Sequence, residues 1–477
     1  MTLLSALPIH RSAYSHLTAD SRQVRHGSLF LAYPGEHADG RHYIAQAVAQ
    51  GAAAVLWEGD AYDWNADWTL PNWPVRGLRE QAGVVADEFY GQPSRQLWII
   101  GVTGTNGKTS CSHWLAQTLT QLGRKTAAVG TLGNGFPGAL SAAINTTPDP
   151  ILLHGMLAEY LAQGAAGVAM EVSSHGLDQG RVNGVHFDVA VLTNLSRDHL
   201  DYHGDMAAYA KAKKQLFHWP ELGCAVLNAD DEFGMEVARE LAQDSVRVLT
   251  YGLNAGEVRG RHLMLAADGL TMEVETPWGS ANLKAALLGR FNASNLLAVL
   301  ATLLVSGVTL DEAVRVLGTV RPVAGRMQQL GGAGQPTVVV DYAHTPDALE
   351  KVLTALREQT SKRLICVFGC GGNRDKGKRP LMGGAVSRLA DVVVVTSDNP
   401  RHEQPLDIIQ DVIAGMDGNY HVEPDRAAAI MQAISQAQAG DVVLLAGKGH
   451  EDYQDIDGVK LPFSDLDVAR RALEAWS

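Results

Sequence analysis

From residue 97 onward the chain alternates short apolar runs with stretches of helical spacing. Leu97–Val102 (LWIIGV), Gly167–Val172 (GVAMEV), Phe187–Leu195 (FDVAVLTNL) and Cys224–Asp231 (CAVLNADD) each read as a short, fully buried strand. Continuous apolar runs of this kind suit a parallel sheet covered by helices on both faces. The pattern repeats from about Arg321, where TVVVDYAHTP, RLICVFGCGG, DVVVVTSDNPR and DVVLLAGKGHE are apolar runs ending abruptly in Gly, Asp, Asn, His or Arg. Before residue 90, Ser28–Pro34 (SLFLAYP) and Ala52–Glu58 (AAAVLWE) read as strands. Between them RHYIAQAVAQGA has helical spacing, with Ile44, Ala47 and Val48 on one side and a stop at Gly51. Asp60–Pro74, rich in Trp, Asn, Asp and Pro, reads as irregular surface, and Gln92–Gln96 as a linker. The expectation is an α/β protein in three blocks: residues 1–90, 91–320 and 321–477. In open α/β sheets ligands bind at the carboxyl ends of the strands. Strand tails carrying His, Arg and Lys therefore point to working edges on both larger sheets.

Composition narrows the choice. A length of 477 residues fits roughly three domains, and 46% hydrophobic against 19% charged residues allows sizeable cores. The formal charge is −13, which argues against nucleic acid or anionic lipid as partners and requires any polyanionic ligand to be met by local cations. Cys111, Cys224, Cys366 and Cys370 are too few and scattered for a disulfide scaffold. The longest greasy stretch, Leu296–Val305, is too short to span a bilayer, and the opening MTLLSALPIHRSAY lacks the layout of a signal peptide. A cytoplasmic location, with no membrane insertion, is the expectation.

GVTGTNGKTS (Gly101–Ser110) follows a strand and opens a helix whose apolar side includes Leu115, Leu119 and Leu122. Backbone N–H groups of a Gly-rich turn and a helix N-terminus together cradle anions. Lys108 would reach the terminal phosphates of a nucleotide and the Thr109 hydroxyl would ligate Mg²⁺. The strict P-loop pattern asks for Gly at position 102, where this chain has Val102. A chance Gly-rich turn is the plain alternative; the strand–loop–helix setting favours binding of a nucleoside triphosphate. The loop alone does not separate a switch, a kinase, a motor and a ligase.

Further motifs occur in series: NTTP (Asn145–Pro148), MEVSSHGLDQGRV (Met170–Val182), TNLSRDHLDYHGD (Thr193–Asp205), GRFNASNLLA (Gly289–Ala298), AGRMQ (Ala324–Gln328), DYAHTPDALE (Asp341–Glu350), GGNRDKGKRPLM (Gly371–Met382), SDNPRHE (Ser397–Glu403) and GKGHEDYQ (Gly447–Gln454). In this order, and over nearly the whole chain, they resemble the Mur ligases of peptidoglycan precursor synthesis. The resemblance implies an N-terminal domain for a uridine nucleotide, a central P-loop parallel-sheet ATPase domain, and a C-terminal Rossmann-like domain that brings an amino acid. It implies an amide ligase in which ATP phosphorylates the D-glutamate γ-carboxylate of a UDP-N-acetylmuramoyl-dipeptide and an amine attacks the acyl phosphate. It also implies a role in cell wall biogenesis, shape and division; a monomer is the expectation, though no residue pattern fixes the oligomeric state. Two alternatives stay open: the same ligation with L-lysine, and a P-loop nucleotide switch without ligase activity. Folylpolyglutamate synthases share the fold and loop, but the uridine-type N-terminal block and the DNPR motif argue against that branch.

The resemblance also assigns residues. Lys108, Glu171, His199 and Lys213 would be catalytic; Thr109, Glu171 and His199 would hold Mg²⁺; and Lys213, in YAKAKKQLF, would carry a CO₂-derived carbamate. Without the resemblance, Lys211, Lys213 and Lys214 read as a solvated helix face. ATP would be held by Gly104, Thr105, Asn106, Gly107, Lys108, Thr109 and Ser110, by Asn292 and Asn295 one helical turn apart, and by Arg326 and Asp341 reaching across from the C-terminal domain. Ala19, Ser21, Glu36, His37 and Ala38 match the uridine region. Asn145, Thr146, Thr147, Ser173, Gln179 and Arg181 match contacts with the sugar-peptide part. The amino acid would be meso-diaminopimelate, read by Arg374, Asp398, Asn399, Pro400, Arg401, Gly447 and Glu451. A guanidinium fork pairs a carboxylate through two parallel hydrogen bonds, so Arg401 suits the second carboxylate that lysine lacks. Asn373 stands where the pattern more often has Asp.

Overall fold

The computed structural model describes residues 11–35, 38–266, 268–332 and 334–476. The chain forms two compact units, one of Met1–Thr103, Gly123–Ala190 and Ala212–Cys224, the other of Gly104–Leu122, Val191–Lys211 and Ala225–Ser477.

The first unit begins with a four-stranded, all-parallel sheet in the order His16–Thr18, Ser28–Ala32, Ala52–Glu58, Asn72–Val75. Every residue of Ser28–Ala32 is buried, because both faces of the sheet are covered. Leu29 and Leu31 pack with Leu78, Ala82, Val85 and Phe89 of the helix Leu78–Phe89 on one side, while Phe30 and Ala32 meet Ile44 and Ala47 on the other. Residues 60–71 are irregular and at the surface, as expected, but the end of the Asp60–Pro74 segment departs from that reading. Asn72–Val75 is the edge strand, a position that tolerates Pro74, and Trp64 stacks on Trp57 at 5.7 Å and meets Trp68 edge-on at 5.1 Å. The expected linker is also pinned: Ser94 is fully buried in a short 3-10 turn, and its Oγ donates to Asp87 and accepts from His186 N.

The same unit holds three parallel strands in the order Trp98–Thr103, Gly167–Glu171, Thr126–Gly130, followed by the antiparallel pair Gly133–Phe136 and Ala139–Ser141. The helix Pro150–Ala162 starts where Asp149 caps it and Pro150 fixes its first turn. It sends Ile151 into the core of the four-stranded sheet.

In the second unit the helices Lys108–Gln121 and Arg290–Val305 pack on each other. The greasy run Leu296–Val305 is the buried end of the latter, consistent with its reading as too short for a bilayer. Val258–Ala266, Gly269–Thr276 and Gly279–Ala285 form an antiparallel meander. The C-terminal sheet runs Gln328–Gly331 (antiparallel edge), Thr337–Asp341, Val442–Ala446, Leu364–Phe368, Val392–Val395, His421–Val422, with the last five parallel. Its four central strands are buried on both faces. Val339, Cys366, Phe368 and Leu444 meet the helices Pro346–Arg357, Lys378–Leu389 and Pro405–Ile413, and Val338, Ile365, Val367 and Val443 meet Arg426–Ser435 and Asp465–Glu474. Among the described residues no helix is long and apolar enough to cross a membrane.

Candidate active site

The turn Gly104–Gly107 leads into the helix Lys108–Gln121, as the motif demands. Its shape is fixed by the tail after the Val189–Leu192 strand: Thr105 N donates to Asn194 O, Asn106 N to Asn194 Oδ1, and Ser196 N to Thr105 Oγ1. Gly107 has φ +87°, and a Cβ there would stand 2.5 Å from Asn295 Oδ1. Backbone conformation and space both require glycine. Lys108 Nζ bends back over the loop to Gly104 O (2.8 Å) and Thr105 O (2.9 Å), leaving its charge at the loop's mouth. Thr109 and Ser110 are buried on the helix's first turn.

The other expected ATP residues gather round this loop. Asn292 and Asn295 are buried together, Asn295 Nδ2 donating to Asn292 Oδ1 at 3.3 Å, with Asn295 against Gly107. Arg326 arrives from the C-terminal block: its Nη2 lies 3.3 Å from Thr109 Oγ1, and its guanidinium carbon sits 4.4 Å from the centroid of the Tyr342 ring. Asp341 ends its strand fully engaged, accepting from Met327 N and Ala343 N at 2.8 Å each. Burial raises its carboxyl, with Arg326 pulling the other way. Here Asp341 fixes the backbone beside Arg326. Two acidic side chains to which the sequence assigns no role add to the site. Asp347 accepts from Asn106 Nδ2 and Ser196 Oγ at 3.2 Å each, and buried Asp198 is surrounded by Lys378 (3.5 Å), His344 (3.6 Å) and His199 (3.5 Å). Burial pushes Asp198 up, but His344, His199 and Lys378 outweigh it and hold the carboxyl well below its ordinary range. His199 has φ +56°, a sparsely populated conformation for a non-glycine residue and a common mark of functional positions.

The second unit also assembles the expected amino-acid residues. A Cβ built on Gly371 would lie 2.9 Å from Arg401 Nη1 and 3.8 Å from the Arg374 stem at Cγ, while Arg374 Nη1 donates to Asn373 O at 3.2 Å. Arg401 donates to Gly372 O at 2.8 Å, and its Nε stands 3.8 Å from Asp455. Asp398, Asn399 and Pro400 are buried in the turn after the strand. Gly447, at φ +114°, brings the tail of Val442–Ala446 so close that a Cβ would sit 2.5 Å from Asp398 Oδ2. Glu451 accepts from Asn399 Nδ2 (2.8 Å) and from fully buried Lys448 (3.0 Å), which also bonds Asn399 Oδ1. Lys448 lies inside GKGHE but was assigned no role in the sequence reading. Asn373 fits its place: φ is +51°, which Asn tolerates well, and its Oδ1 accepts from His402 N. Arg379, 1% exposed, pairs with Glu403 and Asp411 and ties down Gly371 O. That pairing, with Arg379 as first cause, lowers Glu403 to about 2.

In the first unit Glu171 ends its strand buried, accepting from Thr131 N at 2.8 Å and Thr131 Oγ1 at 3.3 Å. Thr146 bonds Thr131, Thr147 bonds Glu171 O and Ser173, and Arg181 bonds Gln179 (2.7 Å) and Thr147 O (3.0 Å). These residues form one polar network, with Asn145 exposed at its rim. Buried Ser21 donates to Gln46 of the short helix Ile44–Ala49, and Ala19 and Ala38 are accessible. Burial, and then Asp149, raise Tyr33, just past Ser28–Ala32, to about 12. Glu36 and His37 lie outside the described residues. Lys213 is 1% exposed whereas Lys211 is exposed, so burial singles out one lysine of the three. Among the described residues no group of three or more His, Cys, Asp or Glu is gathered as a metal site.

A phosphate loop between a parallel strand and a helix, an arginine delivered to it from a second α/β sheet, and polar tails on that sheet define a P-loop nucleotide-binding protein of the ligase type. The chain belongs to the Mur ligase family: the middle domain of that family matches residues 102–303, its glutamate ligase domain 325–449 and its catalytic domain 13–90. The chain is 58% identical over 474 residues to the UDP-N-acetylmuramoyl-L-alanyl-D-glutamate–2,6-diaminopimelate ligase of Chromobacterium violaceum, covering 98% of this chain and 95% of that one. A solved structure of a ligase of the same name superposes with a TM-score of 0.72 at 38% identity, over 100% of this chain and 99% of that one. A Thermotoga maritima MurF ligase solved with ADP shares the fold, with a TM-score of 0.67 at 19% identity over 98% and 99% of the two chains.

Proposed function

We propose that this chain is an ATP-dependent ligase that joins meso-2,6-diaminopimelate to the D-glutamate γ-carboxylate of UDP-N-acetylmuramoyl-L-alanyl-D-glutamate, a step in peptidoglycan precursor synthesis. The observation that carries this reading is the end-to-end match, at 58% identity, to a ligase named for those two substrates. The domains would be residues 1–90 for the UDP-substrate, 91–320 for ATP and 321–477 for the amino acid, in a monomeric cytoplasmic enzyme.

A carboxylate is a poor electrophile, so the γ-phosphoryl group of ATP first moves to it, releasing ADP and leaving an acyl phosphate. The amine of diaminopimelate then attacks, and the tetrahedral intermediate expels phosphate as the nitrogen loses its proton. Charge builds on the transferring phosphoryl group, and Lys108 and Arg326 are the fixed cations beside the phosphate loop that would stabilise it. Thr109, Glu171 and His199 would hold Mg²⁺. The hydroxyl and the carboxylate are hard oxygen donors of the kind this ion prefers, and the ion would neutralise phosphate charge. A carbamate on Lys213 would turn a buried cation into an anion. Asn145, Thr146, Thr147, Ser173, Gln179 and Arg181 would take the sugar-peptide part; Ala19, Ser21, Glu36, His37 and Ala38 the uridine.

The Arg401 guanidinium beside Gly371 supports a substrate with a carboxylate at its far end. L-Lysine would offer Arg401 no second carboxylate, and sites built around a polar partner reject the analogue lacking it by about 10⁴. Phosphate release measured with ATP, the UDP-dipeptide and a panel of amino acids should show that preference. Arg401→Ala should lose most of it by weakening diaminopimelate, with ATP and UDP-substrate affinities little changed. Equal use of lysine by the unmutated protein overturns the amino-acid assignment, and phosphate release at full rate without either co-substrate overturns the ligase.

A further inference from the structure

Arg426 opens the helix Arg426–Ser435 and is 1% exposed. Its Nε and Nη2 donate to Asp465 Oδ1 and Oδ2, both at 2.7 Å, and Asp465 opens the C-terminal helix and is itself fully buried. A buried ion pair is weak evidence of stabilisation by itself, because well-packed apolar side chains of similar volume often serve as well. The fork does supply directed donors. Nη2 also donates to Ala446 O at 2.9 Å, and Nη1 to Ser397 O at 3.3 Å.

Those two carbonyls have a particular place. Ser397 immediately precedes Asp398-Asn399-Pro400-Arg401, and Ala446 immediately precedes Gly447-Lys448. Their strands are not neighbours: Leu364–Phe368 lies between Val392–Val395 and Val442–Ala446. One guanidinium therefore grips the tails of two strands separated by a third. Beyond the grip the turns meet through tight polar contacts. Lys448 Nζ bonds Asn399 Oδ1 at 3.0 Å, Asn399 Nδ2 bonds Glu451 Oε2 at 2.8 Å, and Gly447 leaves no room for a Cβ against Asp398. Contacts of this length fail if the tails separate by even an ångström.

We propose that Arg426, oriented by Asp465, is a positioning residue for amino-acid recognition: it sets the spacing between the Asp398–Arg401 turn and the Gly447–Glu451 turn without touching the ligand. The inference rests on the ligase reading above. It separates recognition from stability, because the apolar cores on the two sheet faces hold the domain together whether or not the tails are in register.

The test uses the full chain and phosphate release, with each of the three substrates varied in turn. If the unmutated protein shows no diaminopimelate-dependent release, the ligase reading fails before the clamp is addressed. Arg426→Lys keeps the cation but loses the fork; the KM for diaminopimelate should rise about ten- to a hundredfold, the scale of a misplacement near 1 Å. The KM values for ATP and the UDP-dipeptide should hardly move. Arg426→Met paired with Asp465→Leu removes both charges together, and should keep a melting temperature near the parent's while still raising the diaminopimelate KM. Val468→Ala, in the same core beside Asp465, should lower the melting temperature and leave that KM alone. The proposal is overturned if either Arg426 variant folds with an unchanged diaminopimelate KM, or if Val468→Ala raises it equally. It is also overturned if both Arg426 variants unfold, since the guanidinium is then needed for the fold itself.

Discussion

Burial, and then the neighbouring Arg326, hold His450 down to about 4 from an ordinary value of 6.5. Its ring stands 5.3 Å from Tyr342, beneath the same Arg326, so a neutral imidazole there avoids a second cation beside the guanidinium. The linkage has a definite sign. Below pH 6.5 the unfolded chain takes up a proton that the fold refuses, so stability is complete above that value and is lost as the pH falls towards 4. One such group costs up to about 2 kcal/mol between pH 7.5 and 5.0. His450→Gln should remove that share: urea titrations at the two pH values should show the parent losing more stability than the variant, and parallel losses would show that His450 titrates normally. Among three lysines within four residues, Lys213 is buried where Lys211 is exposed.

At the scale of elements, the phosphate loop joins a motif to its geometry. Gly107→Ala would place a side chain at φ +87° and 2.5 Å from Asn295, at a strain of about 1–2 kcal/mol before any clash. Nucleotide affinity, read by titration with ADP, should drop at least tenfold while the fold survives; unchanged affinity would mean that the loop does not hold nucleotide through this turn. The loop was legible because strand, glycines, lysine and helix are contiguous. The eight apolar runs were legible for a related reason: a parallel strand buried on both faces must be apolar throughout. The meander Val258–Ala285 escaped notice because its strands alternate buried and exposed positions, as in Val258–Ala266, and offer no continuous run. Asn72–Val75 was hidden by Pro74 and by tryptophans whose partners lie elsewhere in sequence. Arg379 and Arg426 look like solvated helix residues until the fold buries them. No local pattern shows that Asp465 stands ready for Arg426 thirty-nine positions away.

Over the whole molecule, a net charge of −13 has to coexist with ligands that are themselves polyanions. Under the proposed reading, local cations would resolve the conflict: Lys108 with Arg326 at the phosphate loop, Arg401 at Gly371, and Arg181 in the Glu171 network. The first pair depends most on long-range folding, since 217 positions separate Arg326 from Thr109. Three features hold Arg326 in place: Asp341 accepts from Met327 N, Met327 adopts φ +49°, and the Tyr342 ring lies under the guanidinium. A cation this well fixed needs little reorganisation when negative charge builds on a phosphoryl group, which is where preorganised donors have their largest effect. Arg326→Ala should therefore lower kcat about 10²- to 10³-fold, and Arg326→Lys should recover only part of the loss, because an ammonium lacks the planar fork and stacks poorly on Tyr342. UDP-dipeptide affinity should stay unchanged in both, as its proposed residues belong to the first unit. Rapid-quench measurement of phosphate formation, with calorimetric titration of the UDP-dipeptide, separates the two effects. Full turnover in Arg326→Ala would reduce this residue to a surface arginine at a domain junction and leave Lys108 as the only fixed cation assigned to the transferring phosphate.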